Sequence, residues 1–307
     1  MSKYKNIKYS TWILAGVFIE IILLLVLSGR AIEGDHAHYR NYYSYVAILD
    51  FEEFLNLDSR GYIGSLDYLY NFTVFLFSRI VDFDSFTFII NIIYFFLFCK
   101  IFKILKINFL IPLLPFTFYM VGLQFSAQRL IIALSIFGFS YLNKRGITSI
   151  LSLFSHMQVL PLFLILLKPL NFPIILLAFM FALLLGFYFD INAAQKLVYY
   201  ALSRGEIKVT DYLYIIVMFM AVKFSYKKED LIKIVVAFGA LAAIVTIIGD
   251  GRINIIVYFL TLLFLVDTKQ VSIYSKGILI SFIIYDLIKG VLFIGGILSG
   301  NSGFEAL

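Results

Sequence analysis

Residues 12–27 read WILAGVFIEIILLLVL, and this apolar run decides the class of the protein. Lys3, Lys5 and Lys8 precede the run and Arg30 follows it, with no small-x-small cleavage site in between. Lysines followed by an apolar run resemble a signal peptide. Because the cleavage site is missing, we predict an uncleaved first membrane helix whose N-terminus lies in the cytoplasm.

Similar apolar runs continue along the chain. The protein is 62% hydrophobic and 14% charged, with a mean hydropathy of +0.96, which is outside the range of soluble domains. We therefore predict an all-α, polytopic integral membrane protein with about ten or eleven transmembrane or re-entrant helices. It forms a single domain, 1–307, with short external segments near 31–65 and 190–210. The long runs lie near 86–106, 109–123, 125–142, 172–189, 211–224, 231–249, 252–267 and 277–298.

Charge orients these helices. Lys and Arg are scattered in short loops, as membrane topology requires, and this pattern does not suggest nucleic-acid binding. The acidic segment 31–65 should be external, and the basic clusters should be cytoplasmic. Simple alternation fails at 66–81 and 147–167, so either these two segments are broken or re-entrant, or the charge rule is overruled locally. The clusters are Lys100 with Lys103 and Lys106, Lys144 with Arg145, Lys223 with Lys227 and Lys228, and Lys269 with Lys276.

Arg129 opens an apolar helix and is the first candidate functional residue. A guanidinium in hydrocarbon is costly, so it indicates a functional site unless the side chain snorkels to the interface. Arginine binds phosphate oxygens bidentately and keeps its charge, which favours a pyrophosphate clamp. The neighbouring polar residues Gln124, Ser126 and Gln128 support this interpretation.

Asp35 follows the first span and is a candidate base. On a helix that starts here, Asp35, His38 and Tyr39 share one face. Asp35 is equally suited to cap the helix. A metal site formed with His36 and His38 has no recognised ligand spacing, so no metal or cofactor is predicted.

Three further polar positions lie in or between apolar runs. His156 interrupts the segment 147–167 and is either a buried structural histidine or a catalytic imidazole. Arg252, in Asp250-Gly251-Arg252, is either part of a surface turn or a second cation for phosphate. Glu20 and Arg79 are intramembrane charges that we expect to neutralise each other.

The order of these motifs resembles the EpsG-like branch of the Wzy polymerases, bacterial membrane glycosyltransferases that build O-antigen, capsule or exopolysaccharide. The similar pieces are Asp35-His36-Ala37-His38-Tyr39, Gln128-Arg129-Leu130-Ile131-Ile132-Ala133-Leu134, Ser140-Tyr141-Leu142-Asn143-Lys144-Arg145, Phe154-Ser155-His156 and Gly251-Arg252-Ile253.

The resemblance implies a GT-C-like bundle in the bacterial inner membrane, with the active site facing outward. It implies inverting, metal-independent transfer between two undecaprenyl-pyrophosphate-linked oligosaccharides, with a possible chain-length regulator protein as partner. Asp35 or His156 would be the base, and Arg129 with Arg252 would bind pyrophosphate. Gln128, His38 and Tyr39 would contribute to substrate binding.

Two other classes remain open. One is a flippase or transporter of lipid-linked oligosaccharides, which the absence of a detectable two-fold repeat disfavours. The other is a membrane acyltransferase that modifies polysaccharide, which would draw its acyl donor from the cytoplasm. A catalytic His156 near the basic cytoplasmic loops would favour the acyltransferase.

Overall fold

The structure is a computed structural model that describes residues 2–31, 35–63, 67–166, 210–227, 231–248, 250–268 and 270–300. Every regular element in these ranges is a helix, so the predicted all-α class is confirmed for the described part of the chain. The α-helices are α1 (Ser2–Ser28), α2 (Asp35–Ile48), α3 (Phe51–Leu55), α4 (Arg60–Ile63), α5 (Tyr68–Phe77), α6 (Phe83–Leu105), α7 (Phe118–Ser126), α8 (Gln128–Leu142), α9 (Leu151–Ser155), α10 (Thr210–Lys223), α11 (Leu231–Ile248), α12 (Asp250–Asp267) and α13 (Ile273–Leu298). Short 3₁₀ helices cover Asn108–Phe116, Gly146–Ile150 and Met157–Leu166.

Three helices within these ranges are long and apolar enough to cross a membrane: Tyr9–Ser28, Phe83–Leu105 and Ile273–Leu298. Asn108–Phe116 and Phe118–Ser126 pass the same test together, with a bend of 42° between them. The chain is therefore a helical membrane protein with three or four candidate spans in its described part. The ten or eleven predicted helices include re-entrant ones and segments outside the described residues, so their number stays a prediction. The other apolar helices there are shorter than these spans, and the longest of them, Leu231–Ile248 and Asp250–Asp267, have 18 residues each, close to the lower limit of about 17 residues for a crossing. The predicted span 172–189 and nearly all of segment 190–210 lie outside the described residues.

The helices form two compact units, one of Met1–Val159 with Ser281–Leu307 and the other of Leu160–Ile280. In the first unit, α6 runs antiparallel to α1. Lys103 Nζ, near the end of α6, lies 4.3 Å from the ring centroid of Tyr9, near the start of α1. At the opposite end of the pair, Leu24 of α1 and Asp84 of α6 line one cavity of about 310 Å³.

Helix α8 runs parallel to α6. Gln128 Nε2 at its start donates to Thr87 Oγ1 at 3.0 Å, and Lys100 Nζ donates to Asn143 Oδ1 just beyond its end at 2.8 Å. The predicted basic clusters of α6 and α8 therefore lie together at one end of this unit. We call it the basic end, and the end that holds Ser28, Asp84 and Ser126 the far end.

The predicted helix after the first span is present as α2. It buries His36, Tyr39, Tyr42, Tyr43 and Val46, which follow the i, i+3, i+4, i+7 pattern of one helical face. This face packs on residues of α5 and α6. Its tyrosine side chains Tyr39, Tyr42 and Tyr43 therefore pack inside the protein.

In the described residues, neither segment where charge alternation failed is one continuous membrane-length helix, which corresponds to the first of the two alternatives. In 66–81 only Tyr68–Phe77 is helical, and ten residues span about 15 Å, half of a bilayer core. In the described part of 147–167, α9 ends at Ser155, and His156 has extended backbone (φ −167°, ψ 121°) before the next 3₁₀ helix begins. His156 therefore stands at the break itself.

Helix α13 packs against the bend at Thr117. Asp286 Oδ2 accepts a hydrogen bond from the Tyr119 backbone N–H at 3.2 Å, which satisfies a donor in the first turn of α7. Gly290 allows this approach, because a Cβ there would lie 1.9 Å from the Phe116 carbonyl oxygen. The bent pair is thus supported by one glycine and one buried carboxylate.

The predicted neutralisation of Glu20 by Arg79 is wrong. Glu20 is buried and accepts a hydrogen bond from Gln124 Nε2 of α7. Arg79, which lies just beyond the end of α5, donates hydrogen bonds to the carbonyl oxygens of Val46 and Leu49. The sequence shows that two charges lie in apolar runs, but the packing of α1 against α7 decides which polar group each one meets.

Candidate functional site

Arg129 lies in the first turn of α8 at the far end of the first unit. Its neighbour Gln128 is level with Thr87, which lies about 6 Å along α6 from Phe83 by helical rise. The basic-end contact of Lys100 lies about 20 Å further along α6. The start of a helix is its positive pole, so a cation there needs a nearby anion.

Asp67 is that anion. Its Oδ2 accepts a hydrogen bond from Arg129 Nη1 at 2.6 Å, and its side chain is 5% exposed, against 17% for Arg129. Asp67 occupies the N-cap position of α5 but makes no capping hydrogen bond with its side chain. The carboxylate faces Arg129 instead. The two buried charges thus neutralise each other, and the first turn of α5 has no hydrogen bond from this side chain.

His156 approaches the same carboxylate oxygen. Its Nδ1 lies 3.4 Å from Asp67 Oδ2, and its side chain is 15% exposed. Within the described residues this approach is not a hydrogen bond, because Nδ1 has no hydrogen-bond partner there. The preceding Ser155 Oγ donates to the Arg129 carbonyl oxygen at 3.4 Å, which ties the end of α9 to the start of α8. The broken backbone at His156 thus brings the imidazole to a helix that lies earlier in the chain.

Tyr39 completes the cluster from α2. Its Oη accepts a hydrogen bond from Arg129 Nε at 3.1 Å, and its side chain is buried. Burial raises the pKa of the Tyr39 phenol, with the nearby Asp35 carboxylate acting in the same direction and Arg129 opposing it. The phenol therefore stays protonated, so Tyr39 can accept from Arg129 while its own O–H remains a donor.

The structure brings three of the predicted site residues together: Arg129, His156 and Tyr39. Asp35 is the first residue of α2, exposed and one turn from Tyr39, and His38 is exposed on the same helix. Their predicted helical spacing is present, and both lie outside the buried contacts of Arg129.

Gln128 does not face this cluster. It is fully buried, where it accepts from Tyr70 Oη at 3.3 Å and donates to Thr87. The predicted role in pyrophosphate binding gives way to a structural one, because its amide joins α8 to α5 and α6. Arg252 lies in α12 of the second unit, and its side chain is outside the described residues.

His36 has a different environment from Asp35 and His38, the residues that were considered with it as metal ligands. It is 1% exposed and lies between the rings of Phe83 and Phe125 at centroid distances of 5.1 and 5.3 Å. Among the described residues, neither of its ring nitrogens has a hydrogen-bond partner. Asp35 and His38 are exposed. Burial, followed by the charge of Arg40, lowers the pKa of His36 to about 4. Within the described residues, no three His, Cys, Asp or Glu side chains form a metal-binding group.

Sequence reasoning missed Asp67. Asp67 lies directly before an apolar run in segment 66–81, one of the two segments where charge alternation fails. This position was the available signal, since a buried arginine needs a carboxylate close by. Comparison with protein-family models, curated proteins and solved structures gives no match to this chain. The cluster of Arg129, Asp67, His156 and Tyr39 can hold an anion, accept a proton and donate a hydrogen bond.

Proposed function

We propose that the protein is a polysaccharide polymerase of the bacterial inner membrane. It joins oligosaccharide repeat units that are linked to undecaprenyl pyrophosphate. The observation that carries the proposal is the contact of a permanent cation, Arg129, and an imidazole, His156, with one buried carboxylate at the far end.

The location of the cluster supports an outward-facing site. The basic clusters of α6 and α8 lie at the opposite end of the unit, and loops rich in Lys and Arg are retained in the cytoplasm. The far end would then face outward, where flipped lipid-linked repeat units are found. This location also disfavours the acyltransferase, which needs its histidine close to the basic loops.

In the proposed reaction, a hydroxyl oxygen of the acceptor repeat unit attacks the anomeric carbon of the donor chain. The bond from that carbon to the diphosphate oxygen breaks, and undecaprenyl pyrophosphate leaves with the electron pair. The hydroxyl proton passes to His156 as general base. The leaving diphosphate keeps its charge without protonation, and Arg129 stabilises the charge that develops on the bridging oxygen. A single displacement inverts the anomeric configuration.

Complementation of a polymerase-null strain tests this function, with polysaccharide length as the readout. We expect Arg129→Lys and His156→Gln to leave single repeat units on the lipid carrier, because lysine cannot bind phosphate in two-point geometry and glutamine is not a base. Arg145→Lys, at the exposed basic end, is the matched control and should give wild-type chains.

Immunoblots of membrane fractions should show all three variants at wild-type levels. Long chains from both site variants would refute the proposal. Transport of lipid-linked oligosaccharide by the purified protein in vesicles, with no change in chain length in cells, would favour the flippase instead.

A further inference from the structure

One carboxylate oxygen contacts both functional side chains of the cluster. Asp67 Oδ2 lies 2.6 Å from Arg129 Nη1 and 3.4 Å from His156 Nδ1. Asp67 itself is 5% exposed, so little water competes for this oxygen. The negative charge of this one oxygen therefore acts on both side chains.

The first constraint concerns the imidazole. The negative charge of a carboxylate 3.4 Å from Nδ1 favours the tautomer that carries its proton on Nδ1, although this approach is not a hydrogen bond within the described residues. The lone pair is then on Nε2, on the side of the ring away from Asp67. A general base needs this lone pair, and the same relation between carboxylate and imidazole orients the base in hydrolytic triads.

The second constraint concerns the guanidinium. Asp67 occupies Nη1 of Arg129, which is one of the groups that a diphosphate would bind. A bound diphosphate must therefore share or replace this ion pair. An anion that competes with the substrate weakens ground-state binding, whereas the larger negative charge on the leaving group in the transition state competes better for Arg129.

We infer that Asp67 is the positioning residue of this site: it directs Nε2 of His156 towards the acceptor hydroxyl and competes with the diphosphate for Arg129. This inference rests on the proposed function, since it names residue roles in that reaction. It concerns His156 as the base, and Asp35, the other predicted candidate, lies exposed at the start of α2.

The tautomer is measured by ¹⁵N NMR of ¹⁵N-histidine-labelled protein in detergent. The chain has only three histidines, so His156→Gln assigns the relevant signals. We expect the Nδ1–H tautomer in the wild type and a shift towards Nε2–H, the form that free imidazole side chains prefer, in Asp67→Asn and Asp67→Ala. Asp58→Asn is the matched control, because Asp58 pairs with Arg60 at 2.8 Å on the surface.

Competition is measured by titration with inorganic pyrophosphate and by turnover of a short polyprenyl-diphosphate oligosaccharide. Asp67→Asn should bind pyrophosphate about tenfold more tightly, because removal of one nearby negative charge favours the anion. Its kcat should fall about 100-fold while its KM falls, since the base loses its orientation. A purely structural role would lower protein yield and leave the KM of the surviving protein unchanged.

The outcomes separate the two proposals. An unchanged tautomer together with unchanged or weaker pyrophosphate affinity in Asp67→Asn would overturn the positioning role. If the tautomer shifts but the wild type binds no pyrophosphate, the orientation of His156 stands, and the competition and the proposed diphosphate substrate both fail.

Discussion

Neutralising one member of the Arg129–Asp67 pair should destabilise the protein, whereas neutralising both members should restore most of the loss. The two charges face each other at 2.6 Å with 17% and 5% of their side chains exposed. Asp67→Asn leaves a largely buried guanidinium with a neutral partner, and Arg129→Gln leaves a buried carboxylate in the same position. The double variant contains two amides that can hydrogen-bond to each other.

Removal of one partner from a buried ion pair costs about 3–5 kcal/mol. The lower limit of about 3 kcal/mol applies to Asp67→Asn, because Arg129 is partly exposed and keeps its hydrogen bond to Tyr39. At roughly 2 °C or more per kcal/mol, the midpoint of thermal unfolding should fall by about 6 °C or more. The double variant should unfold within about 2 °C of the wild type.

These shifts are measured by thermal unfolding in detergent. The readout is the binding of a fluorescent dye or the fraction of protein that stays soluble after heating. Asp58→Asn serves as the control, since its partner Arg60 is exposed, and it should melt with the wild type. This prediction is refuted if the single variants unfold at the same temperature as the wild type, or if the double variant unfolds no higher than the less stable single variant. Either result would show that solvent, and not the partner charge, stabilises each of the two side chains.

Two further predictions concern residues away from the cluster. His36 is buried with a pKa of about 4, below its ordinary 6.5, so the unfolded chain takes up the proton first as pH falls. Stability that is fully present above pH 6.5 should therefore decrease between pH 6.5 and 4 by about 3 kcal/mol, and His36→Phe should reduce this decrease in melting experiments across that range. Gly290→Val should lower the melting temperature strongly and abolish activity, because the Cβ meets the Phe116 carbonyl oxygen, whereas Gly277→Val, with open space at the same atom, should be tolerated.

Part of the site could be predicted because some residue types are informative without a partner. Arg129 and His156 were singled out as polar side chains in apolar runs, and the structure brings them to one carboxylate. The failure of charge alternation in that segment left two alternatives, a broken segment or a local exception to the charge rule, and the structure shows a break at His156.

The remainder depends on packing, which the sequence does not encode locally. Asp67 precedes an ordinary apolar run, and its contact with Arg129, 62 positions further along the chain, arises only because the fold brings the start of α5 to the start of α8. Glu20 is a similar case, since its partner is an uncharged glutamine on α7 and not the arginine that charge alone suggested. In both cases residue type indicated that a partner was needed, and the fold determined which one.

In the proposed reaction, the position of the cluster along α6 is suited to a lipid-linked donor rather than a soluble one. Arg129 lies next to a residue level with Thr87, about 6 Å along α6 from its first residue, and α6 is one of the candidate spans. A diphosphate attached to a polyprenol lies at the depth of the headgroups, because its chain stays in hydrocarbon about 30 Å thick. Such a group reaches a cation one to two turns inside the end of a span without leaving the bilayer. A nucleoside diphosphate sugar would have to lose its hydration to reach the same depth, and this cost disfavours it as the donor.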